Sequence, residues 1–242
     1  MHATSGFIRS RFVDLPGRGS FHIHVRGSAH GPAVVLLHGL GASAELNWSA
    51  TMPALHGDLR VAAPDIRGHG ETRASVRFTL EDAADDVVAL ADALALETFI
   101  IVGYSMGGAI AQLVHLRRPE RVRGVVLCAT SRSFRSALRE RAVFVALPPA
   151  RLAARVIPGE VAQAAARRVA AHLVDGACDA VIDRNHTFDV GHTFEAAAAL
   201  GQFDSRDWIA RIDVPAAVVV YLRDQLVPTN QQFALARALP HA

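Results

Sequence analysis

The chain has 242 residues, a formal net charge of +2 and 51% hydrophobic residues. This length suits one large α/β domain or two small ones, and the small net charge argues against a nucleic-acid-binding surface. No run of about 18 apolar residues occurs, and the N-terminus lacks a secretory pattern, so we expect neither a membrane span nor export. Two cysteines, Cys128 and Cys178, are too few for a disulfide scaffold and have no metal-like spacing. We therefore expect a cytoplasmic protein with no metal site and no cofactor.

Strand and helix patterns alternate along most of the chain. Residues 7–14 and 20–26 alternate apolar and polar around a Pro-Gly turn and predict a β-hairpin. Continuous apolar runs, typical of strands buried in a parallel sheet, follow at Ala33–Leu37, Leu59–Ala63, Ile100–Tyr104, Val122–Cys128 and Pro215–Leu222. Predicted helices are Asn47–Leu55, Thr79–Leu96 with Thr79 as N-cap, 105–118 and Thr229–Leu239. This order predicts an α/β fold with a mostly parallel, twisted sheet and helices on both faces.

Residues 131–213 interrupt the alternation. They are rich in Ala and Arg and contain no buried-strand run, so we expect a helical cap inserted over the carboxyl ends of the strands. The core would then comprise residues 1–130 and 214–242. The arginines of the cap fit solvated helix faces better than an anion site. His186 and His192 could line a pocket or lie on the surface.

The most informative stretch is Gly103-Tyr104-Ser105-Met106-Gly107-Gly108. A β-branched run precedes Gly-x-Ser-x-Gly, and a helix of small residues follows it. Glycines permit a sharp strand-to-helix turn, which forces the central Ser105 into a strained backbone and exposes its hydroxyl. The helix N-terminus places free N–H groups and a positive dipole end beside it. The pattern predicts a nucleophilic serine.

Four segments together resemble the α/β-hydrolase superfamily, in its compact bacterial esterase and lactonase type. They are His38-Gly39-Leu40-Gly41, Asp65-Ile66-Arg67-Gly68-His69-Gly70, the Ser105 motif, and Asp224 with Val227-Pro228, in the family's order. The resemblance implies that Ser105 is the nucleophile and Asp224 the triad acid. It also implies an oxyanion hole made by the backbone N–H groups of Leu40 and Met106, and a substrate pocket shaped by the cap.

Several polar residues have competing interpretations. Asp224 is favoured as the acid because it follows a late strand, although an Asp there can also hold a turn. Asp204 and Asp207, at the exit of the cap, fit a helix start better. His38 and His69 are expected to support their loops rather than to transfer protons.

The triad histidine is the main departure from the family. Chain order in this fold is Ser, acid, His, and only His241 follows Asp224, 17 positions later. The predicted helix Thr229–Leu239 would carry the chain roughly 16 Å away from the site. We therefore expect that no histidine of the chain bridges Ser105 and Asp224, and that the sequence lacks a last strand with its histidine loop.

Two functions follow from these residues. The first is a serine hydrolase of a small ester, lactone or thioester, or a related acyltransferase. The second is an impaired or non-catalytic α/β-hydrolase-like protein. Expected partners are a small acyl substrate, neither nucleic acid nor membrane, and a second copy bound through an exposed sheet edge at Pro215–Leu222.

Overall fold

A computed structural model describes residues 8–28, 30–55, 57–74, 77–134, 190–224 and 226–242. Most of the predicted cap, with His186 and Cys178, lies outside the described residues.

The described strands form one mixed sheet. Its strands are β1 (Arg9–Leu15), β2 (Gly19–Gly27), β3 (Ala33–Leu37), β4 (Arg60–Pro64), β5 (Arg73–Ala74), β6 (Phe99–Tyr104), β7 (Val122–Cys128) and β8 (Ala216–Val219). Seven lie in the order β1-β2-β4-β3-β6-β7-β8, and β5 pairs with β2. The pairs from β4 to β8 are parallel, whereas β2 is antiparallel to β1, β4 and β5. The predicted hairpin and mostly parallel sheet are confirmed.

Helices cover both faces of this sheet. They are α1 (Ala44–Trp48), α2 (Thr51–Ala54), α3 (Leu80–Ala93), α4 (Met106–Arg117), α5 (Val190–Leu200) and α6 (Thr229–Ala236). Side chains alternate along β3, so Val34 and Leu36 pack with α1 and α2 on one face, while Val35 and Leu37 join the larger core on the other. The larger core includes buried residues of α3, α4 and α5.

The first of the predicted helices differs from the structure. The single helix expected at Asn47–Leu55 is instead two short helices, the first beginning three residues earlier. It begins there because Ser43 accepts a hydrogen bond from the Leu46 N–H, and the distant Asp65 carboxylate accepts one from the Ala44 N–H. The N-cap at Thr79 is confirmed, since its hydroxyl oxygen accepts the Asp82 N–H at 3.0 Å.

Strand β8 is shorter than predicted and, within the described residues, forms one edge of the sheet. Its ladder with β7 ends at Cys128, because the next residue, Ala129, has a φ of 48° and turns the chain away. Exposed large apolar side chains collect on and beyond this edge, at Val219, Tyr221, Leu222, Leu226 and Phe233. No helix of the described residues is long and apolar enough to cross a membrane.

We predict that the chain self-associates through the β8 edge, because unpaired strand edges with apolar side chains favour strand pairing. Val219, which is 44% exposed, is the residue to change. Val219→Lys should lower the dimer fraction measured by sedimentation velocity. Phe12→Lys, at the opposite edge and 46% exposed, is the matched control and should leave association unchanged. Equal association of the Val219→Lys variant and the unaltered chain would contradict the prediction.

Candidate active site

Ser105 occupies the turn between β6 and α4 in a strained conformation. Its φ of 52° and ψ of −113° lie in a region that residues with side chains rarely adopt. Three hydrogen bonds hold its backbone. The N–H donates to Cys128 O at 2.9 Å, and the carbonyl accepts from Gly108 N–H at 2.9 Å and from Thr130 Oγ1 at 2.8 Å. The predicted sharp strand-to-helix turn at Ser105 is present.

Glycines allow the close packing around this turn. A Cβ at Gly103 would overlap the carbonyl of Gly107, and a Cβ at Gly107 would overlap the carbonyl of Leu37 at the end of β3. The first turn of α4 therefore rests directly on the backbone of β3 and β6. This packing places the N-terminus of α4 beside the loop that follows β3.

That loop contains Leu40, the first predicted oxyanion residue. Gly39 lies against the serine, since a Cβ built on it would be 3.5 Å from Ser105 Cβ. Within the described chain, the N–H groups of Leu40 and Met106 form no backbone hydrogen bond of the kind made by turns, loops and caps. Neither N–H group is therefore held by a bond of that kind.

His38 supports the loop, as expected. Its Nδ1 donates to Gly39 O at 2.8 Å, and its Nε2 accepts the Ile66 N–H at 2.9 Å. These partners assign the neutral tautomer with its proton on Nδ1. Complete burial lowers the pKa of His38, which keeps the ring neutral and able to accept from Ile66.

His69 is likewise buried in the loop after β4. Its Nδ1 donates to Arg67 O at 3.0 Å, and its ring stands 5.3 Å from that of His38. Burial lowers the pKa of His69 to about 3. The loop is anchored by Arg67, whose buried guanidinium binds both oxygens of Asp86 on α3 at 2.6 and 2.7 Å.

Asp224 lies beyond the carboxyl end of β8, and thus at the same edge of the sheet as Ser105. Its Oδ1 accepts the N–H groups of Leu226 and Val227, both at 2.9 Å. Its Oδ2 accepts from Gln232 Nε2 at 3.1 Å. Because Oδ1 already has two donors, Oδ2 is the oxygen with capacity for another donor. The fully buried Gln232 also bonds Tyr221 N–H and Val227 O, so it closes the whole loop.

Sequence reasoning missed Gln232, because no local pattern marks a helix residue whose amide faces a preceding loop.

Asp204, the rival acid, is engaged elsewhere: its carboxylate binds Arg206, and it does not begin a helix. The neighbouring short helix begins only at Ile209.

No histidine among the described residues is hydrogen-bonded to Ser105 or to Asp224. The carbonyl of His241 accepts the N–H of Ala216, at the start of β8. His241 therefore lies at the amino ends of the parallel strands, whereas the site lies at their carboxyl ends. His192 lies on α5 above the loop after β4, since a Cβ at Gly68 would come within 2.5 Å of it. The first turn of α5 therefore lies against this loop, and its Thr193 lies beside the Leu40 loop, 3.9 Å from a Cβ built on Gly41.

Comparison with known proteins agrees with this architecture. The family model described as the alpha/beta hydrolase fold matches residues 32–242, so the chain belongs to this family, and it is an enzyme of the hydrolase class. A putative carbamate hydrolase, RutD, from Rhizobium rhizogenes is 31% identical over 92% of this chain and 86% of the relative. The solved enol-lactonase from Burkholderia xenovorans LB400 has a TM-score of 0.82 at 25% identity, over 95% of this chain and 88% of that one.

A second kind of match covers only part of each protein. A pyrrolizixenacetamide deacetylase from Xenorhabdus hominickii is 36% identical over 115 residues, which is 47% of this chain and 43% of the relative. The chain thus matches less than half the length of that protein.

We predict that buried His69 makes the fold sensitive to acid. Its folded-state pKa of about 3 is below the ordinary value of 6.5, so the unfolded chain binds more protons between these pH values. The free energy of unfolding should therefore fall as the pH drops through this window. The loss attributable to His69 should approach roughly 5 kcal/mol at its acid end, at about 1.4 kcal/mol per pKa unit.

Urea denaturation at a series of pH values measures this effect. His69→Gln retains a donor for Arg67 O but does not titrate, so its unfolding free energy should change less with pH. His38, Asp65 and His192 also act on the ring electrostatically and remain in the variant. Exposed His30→Gln is the control. An unchanged pH profile in His69→Gln would show that the ring is not buried in its neutral form.

Proposed function

We propose that the chain hydrolyses a small ester, lactone or thioester through an acyl-enzyme formed on Ser105. The observation that carries the proposal is the strained Ser105 turn, with the N-terminus of α4 and the Leu40 loop directly beside it. Strain of this kind costs about 1–3 kcal/mol and persists at functional sites where the surroundings enforce it.

The chemistry follows from these groups. Ser105 Oγ attacks the carbonyl carbon of the substrate, its proton passes to a base, and the carbonyl oxygen becomes an oxyanion. The N–H groups of Leu40 and Met106 stabilise that oxyanion, assisted by the positive end of α4. The bond to the leaving group then breaks as the leaving group takes the proton. Water then attacks the acyl-enzyme and gives a proton to the base, and Ser105 Oγ leaves as it takes that proton, which releases the acid. If another alcohol attacks in place of water, the product is a transferred acyl group.

Asp224 is proposed as the acid that orients an imidazole base. Its Oδ2, with one donor already present from Gln232, is the oxygen proposed to accept the imidazole N–H. The substrate class is supported by the relatives, whose names include a carbamate hydrolase and an enol-lactonase. We further propose a cytoplasmic site of action and a pocket shaped by the cap of residues 131–213.

A second candidate is a catalytically impaired hydrolase, which binds its substrate but turns it over poorly. It is favoured by the finding that neither Ser105 nor Asp224 is bonded to a histidine of the described residues. Without a base, Ser105 retains only the oxyanion donors and substrate binding. In a comparable triad, loss of the histidine lowers kcat by about 10⁶.

We predict that a fluorophosphonate probe labels Ser105. Labelling should disappear in Ser105→Ala and persist in Ser49→Ala, which removes an exposed serine at the end of α1. Peptide mass spectrometry identifies the labelled residue. Absence of labelling at Ser105, with the variants folded, would contradict the proposed nucleophile.

Hydrolysis of p-nitrophenyl acetate separates the two candidate functions. Near-absence of turnover by the 242-residue chain is expected if none of its histidines acts as base, and it supports the impaired form. Rapid turnover that Ser105→Ala abolishes supports the hydrolase. In that case, loss of activity in His186→Ala or His192→Ala identifies a cap histidine as the base. The Asp224→Asn variant then tests the proposed acid and should lower kcat by about 10⁴.

A further inference from the structure

Thr130 is fully buried where the chain leaves β7 and makes direct contact with the turn that carries Ser105. Its Oγ1 donates to the Ser105 carbonyl at 2.8 Å. Its side chain also occupies the space beside Gly108, where a Cβ would come within 2.5 Å of Thr130 Cγ2. Thr130 therefore lies against Ser105 and Gly108, which precede and follow Met106, one of the proposed oxyanion donors, in the turn.

The segment that carries Thr130 is itself fixed to α4. Gln112, fully buried on that helix, donates from Nε2 to Ser131 O at 3.1 Å and to Gly108 O at 3.2 Å. The Thr130 hydroxyl is thus held at a set distance from the first turn of α4. A hydroxyl on a mobile loop could not resist a change in the Ser105 backbone, but this one can.

The backbone hydrogen bonds of Ser105 show why such a restraint matters. Its N–H is bound by Cys128 O and its carbonyl by Gly108 N–H, both backbone groups that any sequence supplies. Among the described residues, Thr130 has the only side chain that is hydrogen-bonded to the Ser105 backbone. Of the three hydrogen bonds to the Ser105 backbone, this one alone requires a particular side chain.

We infer that Thr130 is a positioning residue that holds the Ser105 turn in its strained, left-handed conformation. The inference rests on the proposed function for its catalytic consequence. Loss of the hydroxyl removes a restraint, so the turn opens more often. Within the closed turn, Ser105 Oγ is also held less closely against the oxyanion donors. Binding of a substrate or probe depends on other groups and stays unchanged.

The test compares Thr130→Val, which has nearly the same shape without the hydroxyl, with Thr130→Ser, which retains it. Thr72→Val is the matched control, because buried Thr72 also donates to a backbone carbonyl at 2.8 Å, that of Asp65. Two quantities are measured in the full chain. One is amide hydrogen exchange at Ser105 and Gly108, relative to the amides of β3. The other is fluorophosphonate labelling, resolved into the maximal rate and the half-saturating probe concentration.

In Thr130→Val we expect exchange at Ser105 about fivefold faster, the size of one lost hydrogen bond. We also expect a lower maximal labelling rate, because the closed turn itself holds Ser105 Oγ less closely against the oxyanion donors. The half-saturating concentration should not change. Thr130→Ser should restore both quantities. Thr72→Val should lower overall stability without a selective effect at Ser105.

Three outcomes are decisive. If exchange at Ser105 in Thr130→Val equals that of the unaltered chain, or rises only in step with β3, the inference is overturned. If exchange rises selectively and Thr130→Ser restores it, but Ser105 of the unaltered chain never reacts, the positioning of Ser105 stands and the proposed hydrolase fails. If exchange rises while the labelling rate is unchanged, Thr130 holds the backbone without positioning the nucleophile, and the inference is overturned.

Discussion

The close approach of β6 and α4 is the constraint on which the rest of the site depends. The helix begins one residue after Ser105, and its first turn rests on the backbone of β3, so that residue must adopt a positive φ. The same packing sets the helix N-terminus against the Leu40 loop. A single steric requirement, met by Gly103 and Gly107, therefore places Ser105 and the start of α4 beside the Leu40 loop, where we propose the oxyanion hole.

A second group of contacts keeps the Leu40 loop in place. His38 joins it to the loop after β4 through Ile66, and the Arg67–Asp86 ion pair ties that loop to α3. Breaking such a buried pair on one side is costly, because it leaves an uncompensated charge. His38 accepts the Ile66 N–H only while its ring is neutral, so protonation of the buried ring would break this hydrogen bond and loosen the loop. This effect of pH on the loop does not involve catalytic proton transfer.

Helices and strands that depend on interactions between neighbouring residues could be predicted from local sequence patterns. The run Val122–Cys128 was correctly bounded because a buried parallel strand is apolar throughout, and Thr79 was found because its cap partner is only three residues away. The start of α1 was missed because it depends on Asp65, 21 residues distant. Thr130 was missed for the same reason, since Ser105, 25 residues distant, is brought near it only by the sheet. Gln232 was missed although its partners lie in the preceding loop, because no local pattern marks an amide that faces such a loop. The position of His241 was predictable because helix rise alone determines it.

The proposed activity depends on an oxyanion hole formed by Leu40 and Met106 beside a nucleophilic Ser105. A crystal structure of the chain after reaction with a fluorophosphonate tests it most directly. We predict a phosphorus–Oγ bond at Ser105, with the phosphoryl oxygen about 3 Å from both N–H groups. A phosphoryl oxygen that faces solvent, or that contacts neither Leu40 nor Met106, would contradict the claim.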